Sequence, residues 1–311
     1  MTLQAAIPII RFARVAVVKP FVTYLESVSV PTAKYLLQVG LNPAMLEDPA
    51  TPIPTSLVFE FFNTACKAED IDDIGLLVGR ATSLQMMDEF GKRLLASRNI
   101  GKYLKLGCRL ISSTSSGDHY WLAEEDNEIR FCQSISGLSE PDRIQSHLYI
   151  SLVTINTIRQ ASKDTWCPTE ITIPEMGPGT TAKLAAVLPG TKIIRKGSYA
   201  SFLLPHYLLA RPMLTKGDWE PDAELHSATL ALPSDFVPSI AQLIEALIIA
   251  GNPDIHTAAS ATGLSYRMFQ RRLADSGTNY SVLLAKTRTG MAMRWIRDGN
   301  RSLADIASTL G

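Results

Sequence analysis

The sequence predicts an α+β domain over residues 19–212, followed after a linker by an all-α helix-turn-helix domain over residues 239–311. Three observations support this fold class. Apolar residues recur at helical spacing through most of residues 19–112. Residues 119–135, HYWLAEEDNEIRFCQSI, alternate apolar and polar side chains around a polar reversal, which is typical of a β-hairpin. Beyond residue 239 the apolar patterns have helical spacing, and short turns containing glycine or serine separate them.

The composition indicates a packed protein with an uneven charge. The chain has 311 residues, of which 46% are hydrophobic and 19% charged, so each of two domains can bury a core. The net charge is zero. However, residues 251–311 contain eight Lys and Arg against four Asp, whereas residues 1–250 contain 22 basic and 26 acidic residues. A basic C-terminal segment on an acidic body favours a polyanionic partner for that segment alone.

No segment has the sequence of a transmembrane helix. The apolar run over residues 7–18 is short and is interrupted by Arg11 and Arg14. The four cysteines are widely separated, without a CxxC pair or a Cys/His cluster at zinc spacing. We therefore predict free thiols, no bound metal and no membrane association, and we expect a cytoplasmic protein.

The first domain is predicted to follow an N-terminal arm over residues 1–18. A helix over residues 19–39 precedes Gly40, which lies where a helix C-cap is expected. Residues 41–54 contain four prolines and form a turn-rich connector. Apolar spacing then predicts helices over residues 55–68, 74–83, 90–100 and 101–112.

The hairpin is followed by a mixture of elements and then by a linker. Residues 213–238 are the predicted linker, because prolines and charges there replace the periodic pattern. The other predictions are helices over residues 141–162, 180–188 and 239–250, a strand over 169–174, and one or two strands within 192–205.

Residues 254–275 have the pattern of a helix-turn-helix. The first helix begins at Asp254 and contains small alanines, which allow a second helix to cross closely. Gly263 can adopt the left-handed conformation that the tight turn requires. Ser265 can cap the second helix, and Phe269 and Leu273 lie four residues apart on its inner face.

The second helix of such a motif is presented to the major groove of DNA. The candidate DNA-binding residues lie at its N-terminus and on its outer face. Arginine suits guanine or phosphate, glutamine suits adenine, and a tyrosine hydroxyl can donate to phosphate. Two roles are possible for Arg272, a contact with DNA or an ion pair with Asp275 three residues later in the helix. The candidates are Ser265, Tyr266, Arg267, Gln270 and Arg271.

The remaining residues repeat part of this pattern. A long helix is predicted over residues 280–298. The sequence RSLADIASTLG follows, with Ser302 as a capping residue, Leu303 and Ile306 as apolar positions, and Gly311 at the position of the turn glycine. It matches the first helix and turn of a second helix-turn-helix.

This C-terminal block resembles the AraC/XylS family of transcriptional regulators, whose DNA-binding domain joins two helix-turn-helix units by a long helix. The resemblance implies that Arg288 is a structural residue of the connector helix and does not read bases. The matching residues are Ala258–Gly263, Phe269–Leu273, Gly277, Leu283, Leu284, Arg288 and Ser302–Ala307.

Residues 19–212 resemble the arabinose-binding-like N-terminal domain of the ornithine-regulator branch of that family. The resemblance rests on LLQVGLNPAMLEDPATPIP, on the helical run to Ile111, on the hairpin after Gly117, and on the late strand before Arg211. It implies a regulator that binds double-stranded DNA, responds to an unknown small-molecule effector, forms a homodimer and contacts RNA polymerase. An enzyme within residues 19–212 is an alternative, but no nucleophile–base pair or set of metal ligands in the sequence supports it, so we expect no enzymatic activity and no cofactor.

The sequence departs from the family pattern at its C-terminal end. Family members continue after the turn glycine with a second recognition helix, whereas this sequence ends at Gly311. The second helix-turn-helix is therefore expected to be incomplete, as in a C-terminally truncated regulator. An alternative function follows from this expectation: a ligand-sensing or heterodimerising protein that has lost specific DNA binding.

Other patterns favour structural roles. The histidines have neither helical partners nor neighbouring cysteines, so a metal site is not expected. The segment Gly177–Thr180 lacks the lysine of a phosphate-binding loop and is predicted to be a turn. Aromatic residues of the first domain are mostly core, and one or two are candidates for lining an effector pocket: Phe59, Phe61, Phe62, Tyr120, Trp121 and Tyr149.

Overall fold

The protein is described here from a computed structural model that covers residues 11–213, 232, 235–249, 251, 253–299 and 301–311. The first elements are β1 (Phe12–Arg14), α1 (Val15–Ser27), α2 (Thr32–Gln38), β2 (Pro52–Pro54), α3 (Thr55–Ala68), α4 (Ile74–Ala81), α5 (Asp88–Leu95) and α6 (Ile100–Thr114). Next come β3 (Asp118–Glu125), β4 (Glu128–Ile135), α7 (Glu140–Ser162), β5 (Glu170–Thr172), α8 (Pro178–Val187), β6 (Lys192–Ile194), β7 (Ala200–Pro205) and α9 (His206–Leu209). The C-terminal elements are α10 (Phe236–Ile249), α11 (Ile255–Ala261), α12 (Tyr266–Asp275), α13 (Tyr280–Asp298) and α14 (Leu303–Leu310).

Two compact units interleave along the sequence. One contains residues 11–15, 31–65 and the described residues from 232 onward, and the other contains residues 16–30 and 66–213. The predicted fold class, α+β followed by all-α, is confirmed. The domain boundaries drawn from the sequence remain predictions.

The second unit is built on a five-stranded sheet with the order β3-β4-β7-β5-β6. Strands β5 and β6 are parallel, and the other neighbours are antiparallel. The predicted hairpin is confirmed: β3 and β4 pair in a register that places Tyr120 opposite Gln133, and the chain reverses at Asp126 with φ of 46°. Phe131 pairs with Phe202 of β7, and both are buried in the core between the sheet and the helices.

Helix α7 packs against α4 at very short range. The side chain of Gln145 accepts a hydrogen bond from the backbone N–H of Gly75 at 2.9 Å. A Cβ atom at position 75 would lie 1.9 Å from the backbone oxygen of Gln145. This close approach requires glycine at position 75.

The predicted helix over residues 19–39 is wrong, because two helices occupy this region. Helix α1 begins at Val15 and ends at Ser27, and α2 begins at Thr32. Ser29 adopts a left-handed conformation with φ of 66°, and Pro31 has no N–H to continue a helix. The predicted helix over residues 90–100 likewise ends early at Leu95, because Asn99 caps α6 by accepting from the Lys102 N–H at 2.9 Å.

Part of the predicted N-terminal arm is packed structure. Strand β1 pairs with β2 in antiparallel register, Phe12 opposite Pro54, and Phe12 and Val15 are fully buried. Residues 1–10 lie outside the described residues, as does most of the predicted linker over residues 213–238. The last residues of that linker belong to α10, which begins at Phe236.

In the first unit, β2 and the start of α3 pack with the C-terminal helices. Helix α10 contacts β2, α11, α13 and α14. The hydroxyl of Ser56 donates to the backbone oxygen of Ala261, the last residue of α11, at 2.8 Å. The proline-rich connector therefore contributes to the same compact unit as the helix-turn-helix, which the sequence pattern did not indicate.

Candidate nucleic-acid interface

The predicted first helix begins with a cap at Asp254. Its carboxylate accepts from the backbone N–H groups of His256 at 2.9 Å and Thr257 at 3.0 Å. These backbone hydrogen bonds, the one from Thr257 first, lower the pKa of the Asp254 carboxyl. The negative charge also suits the positive end of the helix dipole. The start of α11 is therefore fixed by hydrogen bonds between residues that are close in the sequence.

The turn between α11 and α12 is a Schellman motif. Gly263 has φ of 69°, its N–H donates to the Ser260 oxygen at 2.9 Å, and the Leu264 N–H donates to the Ala259 oxygen at 3.3 Å. Ser265 then caps α12 by accepting from the Met268 N–H at 3.4 Å. This confirms the predicted roles of Gly263 and Ser265 in the turn.

The inner face of α12 is anchored by aromatic packing. Phe269 and Leu273 are buried, at 0% and 1% exposure. The Phe269 ring lies 6.3 Å from that of Phe236 on α10 and 6.1 Å from that of Tyr280 on α13. The Arg272 guanidinium stacks over the Phe236 ring at 4.1 Å, so the structure places this arginine against α10. Neighbouring helices on both sides thus fix the orientation of α12.

The outer face of α12 exposes the predicted DNA-binding residues. Tyr266 lies at its first turn, and its hydroxyl accepts from the side-chain amide of Gln270 at 2.8 Å. The Arg271 guanidinium contacts the Met268 sulfur at 3.1 Å. The structure brings the five predicted residues together on one exposed surface: Ser265, Tyr266, Arg267, Gln270 and Arg271.

His256 joins this surface, although sequence reasoning did not include it. Its ring stacks on that of Tyr266, with 4.5 Å between centroids and 16° between planes. The stack links α11 to α12 across the turn. The Tyr266 ring is thus held by His256, and its hydroxyl by the hydrogen bond from Gln270. His256 and Tyr266 are ten residues apart and lie on different helices, so helical periodicity does not relate them. The sequence pattern therefore could not predict this pair.

The connector helix α13 is capped and braced from both ends. Asn279 accepts from the Val282 N–H at 3.0 Å, and the Tyr280 hydroxyl donates to the Pro253 oxygen at 3.1 Å. Arg294 pairs with Glu245 of α10 at 2.8 Å. Arg288 is half-buried, and its guanidinium lies beside Gly311.

Helix α14 begins as the pattern predicts. The Ser302 hydroxyl donates to the Asp305 carboxylate at 2.6 Å and accepts from the Asp305 N–H at 3.1 Å. Ile306 and Leu310 are buried, whereas Leu303 is 71% exposed. The helix packs on α13 and α10.

Alternative sites find little support among the described residues. Within the described ranges no cluster of three or more His, Cys, Asp or Glu side chains is arranged to hold a metal ion. The predicted turn at Gly177–Thr180 is wrong, because Gly177 caps α8 and the helix begins at Pro178. The Thr180 hydroxyl in its first turn donates to the Asp73 carboxylate at 2.7 Å and so belongs to a protein contact. Among the helices of the described residues, none combines the length and apolar character needed to cross a membrane.

Comparison with known proteins identifies the class of this protein as a transcription regulator. Residues 30–213 match the family model described as the N-terminal arabinose-binding domain of AraC transcription regulators. The chain therefore belongs to the AraC family of transcription regulators that carry this ligand-binding domain.

The chain is also similar to the crystal structure of the transcriptional regulator CdpR from Pseudomonas aeruginosa. The identity is 17%, the match covers 90% of this chain and 89% of that chain, and the TM-score is 0.43. No curated protein sequence matches the chain.

Proposed function

We propose that this regulator binds double-stranded DNA by inserting α12 into the major groove. The observation that carries the proposal is the division of α12 into two faces. Phe269 and Leu273 are buried, whereas Arg267, Gln270 and Arg271 are exposed on a helix that follows a tight turn. This is how a helix-turn-helix presents its second helix to base edges.

The exposed groups have the chemistry for two kinds of DNA contact. Arg271 and Gln270 lie along the outer face, where guanidinium and amide groups can form paired hydrogen bonds with guanine and adenine. Tyr266 and Ser265 lie at the N-terminus of α12, where the helix dipole and free N–H groups favour a phosphate. The stack of Tyr266 on His256 supports a role for the tyrosine hydroxyl in positioning the protein on the backbone.

The proposal includes control by a small-molecule effector. Membership of a family with a ligand-binding N-terminal domain supports this part. Effector binding would shift the population of conformations and so change operator affinity. The homodimer, the contact with RNA polymerase and the cytoplasmic location remain part of the proposal.

A salt-dependent titration of the full chain tests DNA binding. Fluorescence anisotropy would compare a fragment of its own promoter with a shuffled fragment, from roughly 50 to 200 mM salt. Arg271→Ala is matched with Arg297→Ala, which removes an exposed arginine of α13 outside the proposed interface. We expect Arg271→Ala to weaken specific binding roughly tenfold, because a base contact contributes about 1–3 kcal/mol. Equal effects of the two variants, or equal affinity for both fragments, would show that α12 does not read the DNA sequence.

A further inference from the structure

The C-terminal end of α11 is completed by a residue that is distant in the sequence. A helix leaves its last four backbone oxygens without partners inside the helix. In α11 the first three of these accept from N–H groups of the turn that follows, whereas the fourth, on the buried Ala261, accepts from the Ser56 hydroxyl at 2.8 Å. The local bonds run from Thr262 to Ala258, from Leu264 to Ala259 and from Gly263 to Ser260.

Ser56 lies on a short segment, residues 52–56, which we call the β2–α3 corner. Backbone hydrogen bonds fix this corner near both ends: the Val15 N–H donates to the Thr51 oxygen at 3.0 Å, and the Thr55 N–H donates to the Arg11 oxygen at 2.8 Å. Ile53 between them is fully buried. The backbone that carries the Ser56 hydroxyl is therefore held in place independently of α11.

The β2–α3 corner supports both of the helices that orient α12. Helix α10 packs on β2, and the ring of its Phe236 lies under the Arg272 guanidinium of α12 at 4.1 Å. Helix α11 is held by Ser56 and carries His256, whose ring stacks on that of Tyr266. The corner therefore acts on α12 through α10 and through α11.

The same corner belongs to the ligand-binding domain by sequence. Residues 52–56 fall within residues 30–213, which match the arabinose-binding domain, whereas their packing places them in the compact unit that contains the helix-turn-helix. Helix α3 is continuous from Thr55 to Ala68, and its residues from Cys66 onward belong to the second unit. A displacement of α3 along its axis would consequently act on α11 at Ser56.

We propose that Ser56 is a positioning residue for α12: its hydrogen bond to the Ala261 oxygen holds the helix-turn-helix in the arrangement that fits the major groove. Without this bond, the end of α11 and the turn after it can shift, and the stack on Tyr266 shifts with them. The fraction of the protein that is competent to bind specific DNA then falls, and the apparent affinity falls with it. The effect on DNA rests on the proposed function, whereas the placement of α11 by Ser56 does not.

Ser56→Ala in the full chain tests the effect on DNA. Anisotropy titrations with the promoter and shuffled fragments are made at a temperature where circular dichroism shows both proteins folded. We expect promoter affinity to fall roughly fivefold, because one hydrogen bond is lost, and affinity for the shuffled fragment to stay unchanged. A general loss of stability would instead lower the active fraction for both fragments and leave the ratio of the two affinities unchanged.

Two matched variants complete this experiment. Ser56→Thr retains the hydroxyl and should keep the affinity ratio of the unaltered chain. Ser281→Ala removes an exposed serine hydroxyl from α13 in the same unit and should also keep that ratio. These two results would assign the loss in Ser56→Ala to the hydroxyl at position 56.

A second measurement needs no DNA. Nuclear magnetic resonance of the histidine-labelled full chain, at one fixed pH, follows the ring protons of His256, which are assigned by their loss in His256→Gln. Stacking on Tyr266 shifts these protons through the ring current, and Tyr266→Leu gives their unstacked position. We expect the His256 signals of Ser56→Ala to move towards that position and those of Ser56→Thr to match the unaltered chain.

The outcomes separate this inference from the proposed function. The positioning role is overturned if Ser56→Ala leaves the His256 signals unchanged, if it leaves the affinity ratio of a sequence-specific protein unchanged, or if Ser56→Thr behaves as Ser56→Ala does. Equal affinity of the unaltered chain for both fragments would contradict the proposed function. The His256 signals would then decide by themselves whether Ser56 positions the helix-turn-helix.

Discussion

The ring of His256 stacks on the ring of Tyr266, 4.5 Å away and within 16° of parallel, across the turn of the helix-turn-helix. The stack joins the first residues of two helices, so it fixes their relative placement at the end that faces the proposed DNA. Tyr266 in turn accepts a hydrogen bond from Gln270 one helical turn later. His256 on α11 therefore orders two candidate contact residues, Tyr266 and Gln270, on α12.

His256→Ala should weaken specific DNA binding a few-fold. An aromatic pair contributes about 0.5–1.5 kcal/mol, and its loss frees the Tyr266 ring. The anisotropy titration with promoter DNA measures the effect. His206→Ala, at an exposed histidine of the second unit, is the control and should bind as the unaltered chain does. Unchanged affinity in His256→Ala would mean that the stack does not position the interface.

Gly75→Ala should destabilise the second unit by about 2–3 kcal/mol, because the added methyl group overlaps the Gln145 backbone and α4 must move away from α7. Gly107→Ala in α6 is the matched control. The nearest atom to its new Cβ is 4.0 Å away, so it should instead stabilise the fold by about 0.5–1 kcal/mol. Urea unfolding followed by circular dichroism gives both values, and equal destabilisation would contradict the close helix contact.

Asp73→Asn should make the protein less stable at neutral pH but not in acid. Burial by itself raises the pKa of the Asp73 carboxyl, but hydrogen bonds from Lys183 and Thr180 outweigh it and lower the pKa below its ordinary value. A lowered pKa stabilises the fold above the unfolded value, and this contribution disappears as the pH falls through the folded value. The melting temperatures of the two proteins should therefore converge below about pH 4.

The control for this prediction is Asp70→Asn. Asp70 is exposed and, like Asp73, has a left-handed backbone, with φ of 53° against 55°. It separates the loss of the carboxylate contacts from any effect of asparagine on the backbone. A constant difference between Asp73→Asn and the unaltered chain at all pH values would contradict the assignment.

Ser56→Ala should loosen the C-terminal end of α11. The substitution removes the hydrogen bond to the Ala261 oxygen, which is worth about 0.5–1.5 kcal/mol. Hydrogen exchange monitored by mass spectrometry should show faster exchange in peptides that span residues 255–265. Ser281→Ala, at an exposed serine of α13, should leave those peptides unchanged. If Ser56→Ala also leaves them unchanged, the contact does not support the helix-turn-helix.

Features governed by neighbouring residues could be predicted from the sequence. Asp254, Gly263 and Ser265 define the ends of α11 and α12 through hydrogen bonds that span two to five residues. The hairpin at Asp126 follows from alternation and a polar reversal in one segment. Each of these features depends only on residues that are close in the sequence, so it could be predicted without knowing how distant elements pack.

Features that depend on distant residues could not be predicted. The break between α1 and α2 depends on Ser29 taking a left-handed conformation, which serine rarely does and which tertiary packing must stabilise. The contact of Ser56 with Ala261 joins residues that lie 205 positions apart. The pairing of Gln133 with α7 likewise arises only when strand and helix meet. Apolar periodicity identified the elements here but gave no information about which of them pack together.

The packing of α10 against β2 limits how this regulator can be recombined with others. A chimera that joins a foreign N-terminal domain to residues 236–311 would contain the helix-turn-helix without β2, on which α10 packs, and without the Ser56 hydroxyl that bonds to α11. A cut within the predicted linker therefore separates α10 from the strand on which it packs. If α12 contacts DNA as proposed, DNA specificity is better exchanged between such proteins by replacing the exposed face of α12 than by exchanging whole domains.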